Sequence, residues 1–469
     1  MEAFAGVGAQ RMALQRLRVP FQIRAISEID KDALIAYATI HCALLEKLSA
    51  YTFPDRDTML DILQKKRIGF DHVKQKHTLN HRTKPAYLQK VYLADLLSHN
   101  LGDISLIRGR DIQKLDLLTY SFPCTDLSKA GRMEGMRKSS QTRSGLLWQV
   151  ERLLLELYEL HALPQILLME NVPDVVGSRN KRDFDEWYRR LEQLGYQSFY
   201  KVLDAKDYGI PQHRERCYMV SILGAYAYTF PEGIPLTRKL RDLLEHEVDE
   251  AYYLNERRIH MFSDMSDHNG FIRGDRFQPY DGMQKGVAKT LLTRAGQCPT
   301  DNYLYQYEPV QLLHTDEDDS VQWEAVQDAI PLPENTRRGF VLAQEGDGVY
   351  INRTASKRGV VQKQMIQTIK CSVQDLGVVQ NMRIRRLTPR ECWRIMDFTD
   401  ADHDRCVQAG ISETAMFKLA GNSIVVAVLT AIFRNLFVKK EVDDKDGSRK
   451  RTAEGRTEAI DPCGRQSGL

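Results

Sequence analysis

The chain lacks the features that mark several protein classes. Its eight cysteines, at 42, 124, 217, 298, 371, 392, 406 and 463, include no CxxC pair, so neither a zinc-site spacing nor a disulfide framework is present, and free thiols in a reducing compartment are expected. No apolar run approaches the roughly 20 residues that a bilayer-spanning helix needs, and the first residues lack the basic-then-apolar order of a secretory leader. The expectation is an intracellular chain without a membrane partner. Charge of one sign is lacking too: 66 Lys and Arg stand against 63 Asp and Glu, a net of +3, too little to identify a polyanionic partner. Only local clusters, 179–182 (RNKR) and 383–390 (RIRRLTPR), are candidates to meet phosphates. What is present is ordinary for a globular protein, 42% hydrophobic and 28% charged over 469 residues, and long enough for two domains with cores of their own.

The most informative run is LDLLTYSFPC (115–124). Its apolar residues read as an interior strand, and Pro123 ends it abruptly at the thiol of Cys124. In open α/β sheets, ligands and chemistry gather beyond the carboxyl ends of strands. Taken alone, Cys124 reads equally well as a core cysteine or a nucleophile. A second run, PQILLM (164–169), ends in Glu170-Asn171-Val172-Pro173, which would bring a carboxylate to the same rim.

Up to about residue 245, β-rich runs alternate with helical ones: FQIRAIS (21–27), the helix-like DALIAYATIHCALLEKL (32–48), LDLLTYSF (115–122), the helix-like GLLWQVERLLLELYEL (145–160), QILLM (165–169) and CYMVSIL (217–223). That order implies a largely parallel sheet flanked by helices. Residues 50–100 read as a polar insertion with little core. From about 246 to 380 the texture becomes short and irregular, as expected of a separate, loop-rich domain. Helical patterns return at LTPRECWRIMDF (387–398) and SIVVAVLTAIFRNLF (423–437), and 439–469 is charged with few apolar residues, so disorder is expected there.

Near the start, Gly6 and Gly8 precede a helical pattern, and Glu28 follows a strand twenty residues after Gly8. This is the spacing at which a nucleoside-binding βαβ unit places an acid on ribose hydroxyls. Arg11 occupies the position of the third glycine, which disfavours NAD and leaves adenosine-type ligands without a pyrophosphate. Asp103, in Gly102-Asp103-Ile104, is suited to accept from an adenine amino group, or else serves as a turn residue.

As an ordered set, FAGVGAQ (4–10), SFPCTDLS (121–128), MENV (169–172), QHRER (212–216), RRLTPRECWRIMDF (385–398) and GNSIVVAV (421–428) resemble the motifs of the DNA (cytosine-5) methyltransferases. The resemblance covers 1–223 and 383–437; EAFAGVGAQR, DLLTYSFPC and TRSGLLW (142–148) look most like the bacterial CpG-methylating members. It implies an α/β fold, a Rossmann-like S-adenosylmethionine-dependent methyltransferase sheet with a smaller target-recognition domain. The expected division is 1–245 plus 412–438 for catalysis and cofactor, 246–411 for target recognition, and a tail from 439.

The resemblance also implies roles. Cys124, presented by Pro123, adds to cytosine C6; a protonated Glu170 neutralises N3, which demands a raised carboxyl pKa in a closed pocket; Arg216 binds O2 and Arg214 supports the Cys124 loop. Phe4, Gly6 and Gly8 line the methionine and ribose part of S-adenosylmethionine, Glu28 its ribose hydroxyls, Asp103 the adenine amino group, Leu146 the adenine face and Asn422 the methionine carboxylate region. Asn422 also fits an N-cap before the last helix, and Leu146 simple helix packing. No metal is implied. The partner is double-stranded DNA, with the target base rotated out of the stack, as DNA methyltransferases do. Residues 125–144, with Lys129, Arg132, Arg137, Lys138 and Arg143, suit closure over that base. A monomer in the bacterial cytoplasm or nucleoid, with a restriction endonuclease as functional counterpart, completes the expectation.

Two departures stand out. Thr125 replaces the Gln that usually follows Pro-Cys, which implies altered loop contacts with activity retained. Only Met1-Glu2-Ala3 precede FAG, where the family has a longer apolar strand, so either the start lies upstream or a shortened strand leaves sheet edges unpaired and weakens cofactor binding. Three other readings compete. An RNA cytosine-5 methyltransferase is disfavoured by the long polar 250–380 region, a catalytically silent DNA-binding protein by the complete Cys124, Glu170 and Arg216 set, and an NAD-dependent dehydrogenase by Arg11.

Overall fold

The computed structural model describes residues 1–72, 74–112, 114–123, 143–253, 310–315, 321–326, 329–334, 340–351, 359–370, 375–381 and 383–438. Its centre is a six-stranded sheet of β1 (Glu2–Ala3), β2 (Ile26–Ser27), β5 (Leu117–Tyr120), β6 (Ile166–Asn171), β7 (Tyr196–Asp204) and β9 (Glu215–Leu223), in the order β2-β1-β5-β6-β9-β7. The first four strands run parallel, whereas β9 is antiparallel to both neighbours. β1 has two residues, and both pair on both sides, Glu2 with Ile26 and Thr119, Ala3 with Ser27 and Tyr120.

Strand alternation divides the apolar residues between two layers. Leu118, Tyr120, Leu167, Met169, Cys217 and Met219 face one layer, closed by α6 (Leu147–Glu159) and α7 (Lys181–Gln193). Leu168, Tyr218, Val220 and Ile222 face the other, which holds α1 (Ala9–Arg16), α2 (Lys31–His41) and α5 (Pro85–Leu97). Burial on both faces explains why these strands read as unbroken apolar runs.

Several expectations are corrected. The helix over 32–48 is two, α2 and α3 (Leu44–Leu48), because Ala43 between them sits at φ 55°. FQIRAIS pairs only at Ile26–Ser27. Residues 50–100 are not a coreless insertion: α4 (Arg56–Lys65) and α5 supply Leu60, Leu63, Leu88, Val91 and Ala94 to the larger layer. Their polar appearance arises because α4 buries one stripe and exposes the rest.

Helices α8 (Pro389–Ile395) and α9 (Asp400–Gln408), which the sequence reading put with the loop-rich second domain, also pack in the larger layer, through Cys392, Trp393, Ile395 and Cys406. With them lie α10 (Glu413–Asn422) and α11 (Val426–Phe437). Among the described residues, Glu413–Phe437 alone has the length and apolarity of a membrane span, with a hydropathy of 1.8 and 67% of that window buried.

The second unit contains the antiparallel pairs β10 (Val310–Thr315) with β11 (Val321–Val326) and β12 (Ala329–Pro333) with β13 (Phe340–Gln344), and a four-stranded antiparallel sheet, β14 (Gly348–Tyr350), β15 (Val361–Gln362), β17 (Leu376–Gln380) and β18 (Arg383–Arg386), ordered β15-β14-β17-β18, while β16 (Ile366–Gln367) runs parallel to β8 (Gln212–His213) of the larger unit. Leu332, Ala343, Val349, Val360, Val379 and Ile384 form the second unit's own small core. Where the chain leaves the larger unit, Tyr253 bridges to Arg385 on the returning strand. Arg383 binds both oxygens of Glu250 at 2.8 Å and stacks 4.1 Å from the Tyr253 ring centroid. The remainder of 246–382 and the tail from 439 lie largely or wholly outside the described residues.

Candidate active site

The turn after β1 carries three left-handed positions, Phe4 (φ 58°), Gly6 (φ 55°) and Gly8 (φ 81°). Glycine accepts this freely, and Phe4 does so at a cost of about 1–2 kcal/mol. The two glycines differ in role. A side chain at Gly8 would run into Tyr37 Cε2 at 2.7 Å and into the His41 ring, so Gly8 is needed for packing. A side chain at Gly6 would meet nothing within 4 Å, so Gly6 borders open space.

Glu28, just past β2, ties that turn to its own strand end. Its carboxylate accepts the N–H of Gly6 at 2.8 Å, of Ile29 at 2.8 Å and of Asp30 at 2.7 Å. Burial first, and then the nearby charge of Asp30, push its carboxyl up from 4.5 to about 6 in spite of those bonds. Sequence reasoning missed the residue that sets this arm, Asn100. It is fully buried and takes the Glu28 N–H (3.0 Å) and the Gly102 N–H (3.1 Å) on Oδ1, while its amide donates to Glu28 O (3.0 Å). No sequence signal distinguishes it from a turn asparagine.

Asp103 is buried and forms a turn, accepting Ser105 N–H at 2.9 Å and Ser105 Oγ at 2.8 Å, with Arg67 at 3.3 Å. Leu146 ends a short turn, Arg143–Leu146, and packs partly buried beside the smaller layer. Asn422 is exposed at the end of α10. The N-cap expectation for it is corrected: α11 starts only at Val426, after Val425, whose side chain makes no capping bond.

At the β5 and β6 ends the described residues converge. Ser121 Oγ donates to Glu170 Oε2, and Arg216 Nε lies 3.2 Å from Glu170 Oε1. The Asn171 amide donates to Phe122 O at 3.0 Å, clamping the two strand ends one residue before Pro123. Ser121 is a further residue that sequence reasoning passed over. Cys124 itself, Thr125 and the rest of 124–142 lie outside the described residues. Beneath this rim, burial and then the charge of Glu170 push the Cys217 thiol up to about 12, leaving it an inert core thiol.

Arg214 and Arg216 alternate as read, yet their described contacts diverge. Arg214 donates to Ile369 O at 2.7 Å, Gly421 O at 3.0 Å and Ser423 O at 2.8 Å, so it braces the turn that bears Asn422. The basic cluster at 383–390 is largely turned inward, three of its four arginines meeting carboxylates. Arg385 forms a fully buried pair with Glu391 at 2.7 Å, Arg386 donates to Ala251 O and Arg390 reaches Glu245 and Asp404. In the other cluster, Lys181 pairs with Asp185 one helical turn on.

Comparison with known proteins gives the family. A family model described as "C-5 cytosine-specific DNA methylase" matches residues 58–438. The type II methyltransferase M2.ScrFI of Lactococcus lactis subsp. cremoris is 32% identical over 440 residues, 93% of this chain and 98% of that protein. The orphan methyltransferase M.SssI of Spiroplasma monobiae is 38% identical over 262 residues, 54% of this chain and 66% of that protein. Among solved structures, the S. pombe Dnmt2 methyltransferase aligns over 93% of this chain and 97% of its own at 16% identity, with a TM-score of 0.48. The chain belongs to the C-5 cytosine-specific DNA methylases, enzymes that transfer a methyl group from S-adenosylmethionine to C5 of cytosine in DNA.

Proposed function

We propose that the rim formed by the ends of β5 and β6 carries out this transfer through a covalent Cys124 adduct. The observation that supports it best is the Ser121–Glu170–Arg216 cluster, which meets the clamped strand ends one residue before Pro123 and two before the thiol. Cytosine C5 is a poor nucleophile. The Cys124 thiolate adds to C6, Glu170 gives a proton to N3, and Arg216 holds O2, so the charge that addition drives into the ring is neutralised as it forms. C5, now enamine-like, takes the methyl group; loss of the C5 proton to a base then expels the thiolate, and N3 returns its proton to Glu170.

Open space at Gly6 and the Glu28 carboxylate at the end of β2 fit S-adenosylmethionine, whose sulfonium supplies an electrophilic methyl group. Gly6 and Phe4 border its methionine and ribose portion, Glu28 takes the ribose hydroxyls, Asp103 the adenine amino group and Leu146 the adenine face. Gly8 acts behind them by seating the turn on His41 and Tyr37. Arg214 holds Gly421 and Ser423, on either side of Asn422, against the core.

Recognition of the target sequence falls to the region after residue 246, and the packing of α8 and α9 favours ending it near 382. The enzyme acts as a monomer on duplex DNA in the bacterial cytoplasm, as an orphan methylase or with a restriction endonuclease as functional counterpart. Cys124→Ala is expected to abolish both methyl transfer and covalent trapping by duplex DNA containing 5-fluorocytosine, while Glu170→Gln lowers kcat by about 10²–10⁴. Normal turnover by the Cys124 variant overturns the mechanism.

A further inference from the structure

One further stretch, outside the clusters at 179–182 and 383–390, holds a local excess of positive charge. Residues 65–84 hold seven Lys and Arg against a single Asp, while the whole chain is only +3, so the rest of the molecule is net acidic. The stretch is a built excursion. Ile68 and Leu79 are fully buried anchors. Gly69 N–H donates to Ile29 O at 2.7 Å, and Thr78 N–H to Gly69 O at 2.8 Å, which fastens the small hairpin of β3 (Phe70–Asp71) and β4 (Lys76–His77) beside Glu28. The Arg56 guanidinium gathers the carbonyls of Asn80, His81 and Thr83, and Asn80 Oδ1 accepts Arg82 N–H at 2.8 Å, so the following turn is held from below.

The cations divide by direction. Lys66 reaches Asp95 at 2.6 Å and Arg67 reaches Asp103 at 3.3 Å; both are used inside the fold. Lys65 pairs with Asp61. Lys74, Lys76, Arg82 and Lys84 are exposed. Lys74 meets Asp71 only at 3.9 Å, and Lys76, Arg82 and Lys84 have no carboxylate partner among the described residues. Fixed, unneutralised cations cost stability through mutual repulsion unless an anion answers them. The excursion stands at the carboxyl-end rim, where Arg67 and His72 touch Asp103.

We propose that Lys74, Lys76, Arg82 and Lys84 form a backbone contact for duplex DNA, gripping phosphates that flank the target base on the β2 side of the sheet. The inference rests on the reading above that the target base enters at this rim. Contacts to phosphates position the duplex and carry no sequence information, so the patch adds affinity and no sequence preference.

The test is a quadruple Lys74→Gln/Lys76→Gln/Arg82→Gln/Lys84→Gln variant of the full chain, with Arg189→Gln/Lys201→Gln as a charge control at the opposite end of the sheet. Duplex binding is followed by fluorescence anisotropy across salt concentration, alongside methylation kinetics. Each phosphate contact contributes about 0.9 to the slope of log K against log salt on B-DNA. The quadruple variant is therefore expected to lower that slope by about 3 to 4 and to weaken binding about tenfold or more at physiological salt. S-adenosylmethionine affinity, kcat at saturating DNA and the methylated sequence stay unchanged. An unaltered slope, or a loss equal to that of the control, identifies a solvated face and overturns the proposal. A loss confined to structured RNA, with duplex binding intact, overturns it too. Parent enzyme that binds duplex through this patch yet forms no Cys124 adduct would sink the catalytic reading and leave the patch standing.

Discussion

Glu28 ties the Gly6 turn to the end of β2 and, in the proposed function, also takes the ribose hydroxyls. Its carboxyl is raised from 4.5 to about 6, so between those values the folded chain holds a proton that the unfolded chain has released. Its stabilising effect is therefore full below about pH 4.5 and lost as pH rises through 6, a difference of about 2 kcal/mol. Cofactor binding has the opposite sign, because ribose hydroxyls donate to the ionised form. Affinity for S-adenosylmethionine is expected to rise roughly tenfold from pH 5 to 7, with Glu28→Gln abolishing the dependence; calorimetric titration checks this, and a flat profile in the parent removes Glu28 from the ribose site. The glycines give a second contrast. Gly8→Ala must move Tyr37 and His41 and is expected to lower stability by about 2 kcal/mol or more. Gly6→Ala is expected to cost only its backbone strain, about 1 kcal/mol, while weakening cofactor binding; thermal melts and titrations of the pair separate the two effects. Spacing drew Gly6, Gly8 and Glu28 together, but not the packing of Gly8 on Tyr37 and His41. Asn100 was not legible, because the four hydrogen bonds of its side chain reach residues 28, 95 and 102, and nothing local marks it.

Among the elements, the strands were easiest to read, since burial on both faces leaves little else for LDLLTY or ILLM to be. The break at Ala43 carried no proline or glycine to announce it. Elements held by remote charge were opaque for a different reason. Arg383, Arg385 and Arg390 look like a nucleic-acid patch until Glu250, Glu391 and Asp404 are brought to them. The two kinds of pairing should separate on mutation. Arg385→Met leaves Glu391 charged and buried and is expected to cost about 3–5 kcal/mol, whereas Arg383→Met removes an exposed pair and is expected to cost below about 1 kcal/mol. Urea unfolding midpoints measure both, and equal losses refute the distinction. The same pairing explains why β18 and α8 behave as one piece: Thr388 and Glu391 close the helix's capping box while Glu391 also accepts Glu245 N–H at 2.8 Å.

At the scale of the molecule, the proposed site lies at the ends of the parallel strands, and the antiparallel β9 runs back beside β6 so that Arg216 reaches Glu170. A chain of this kind should methylate one sequence context and leave others untouched. Bisulfite sequencing of DNA from cells expressing it is expected to show conversion-resistant cytosines in a single short motif, and resistance scattered without motif counts against a dedicated recognition region. The bridge between Tyr253 and Arg385 has a consequence for descent. The outgoing and returning strands are fastened to each other there, and a second seam joins Ile366–Gln367 to Gln212–His213 with Ile369 O on Arg214, so a replacement segment must keep both attachments for the register around QHRER to survive. A lineage holding this scaffold can acquire a new target word by exchanging what lies between the two seams, provided it keeps Glu250, Tyr253, Arg383 and Arg385 at one and the strip from Ile366 to Ile369 against Gln212 and Arg214 at the other.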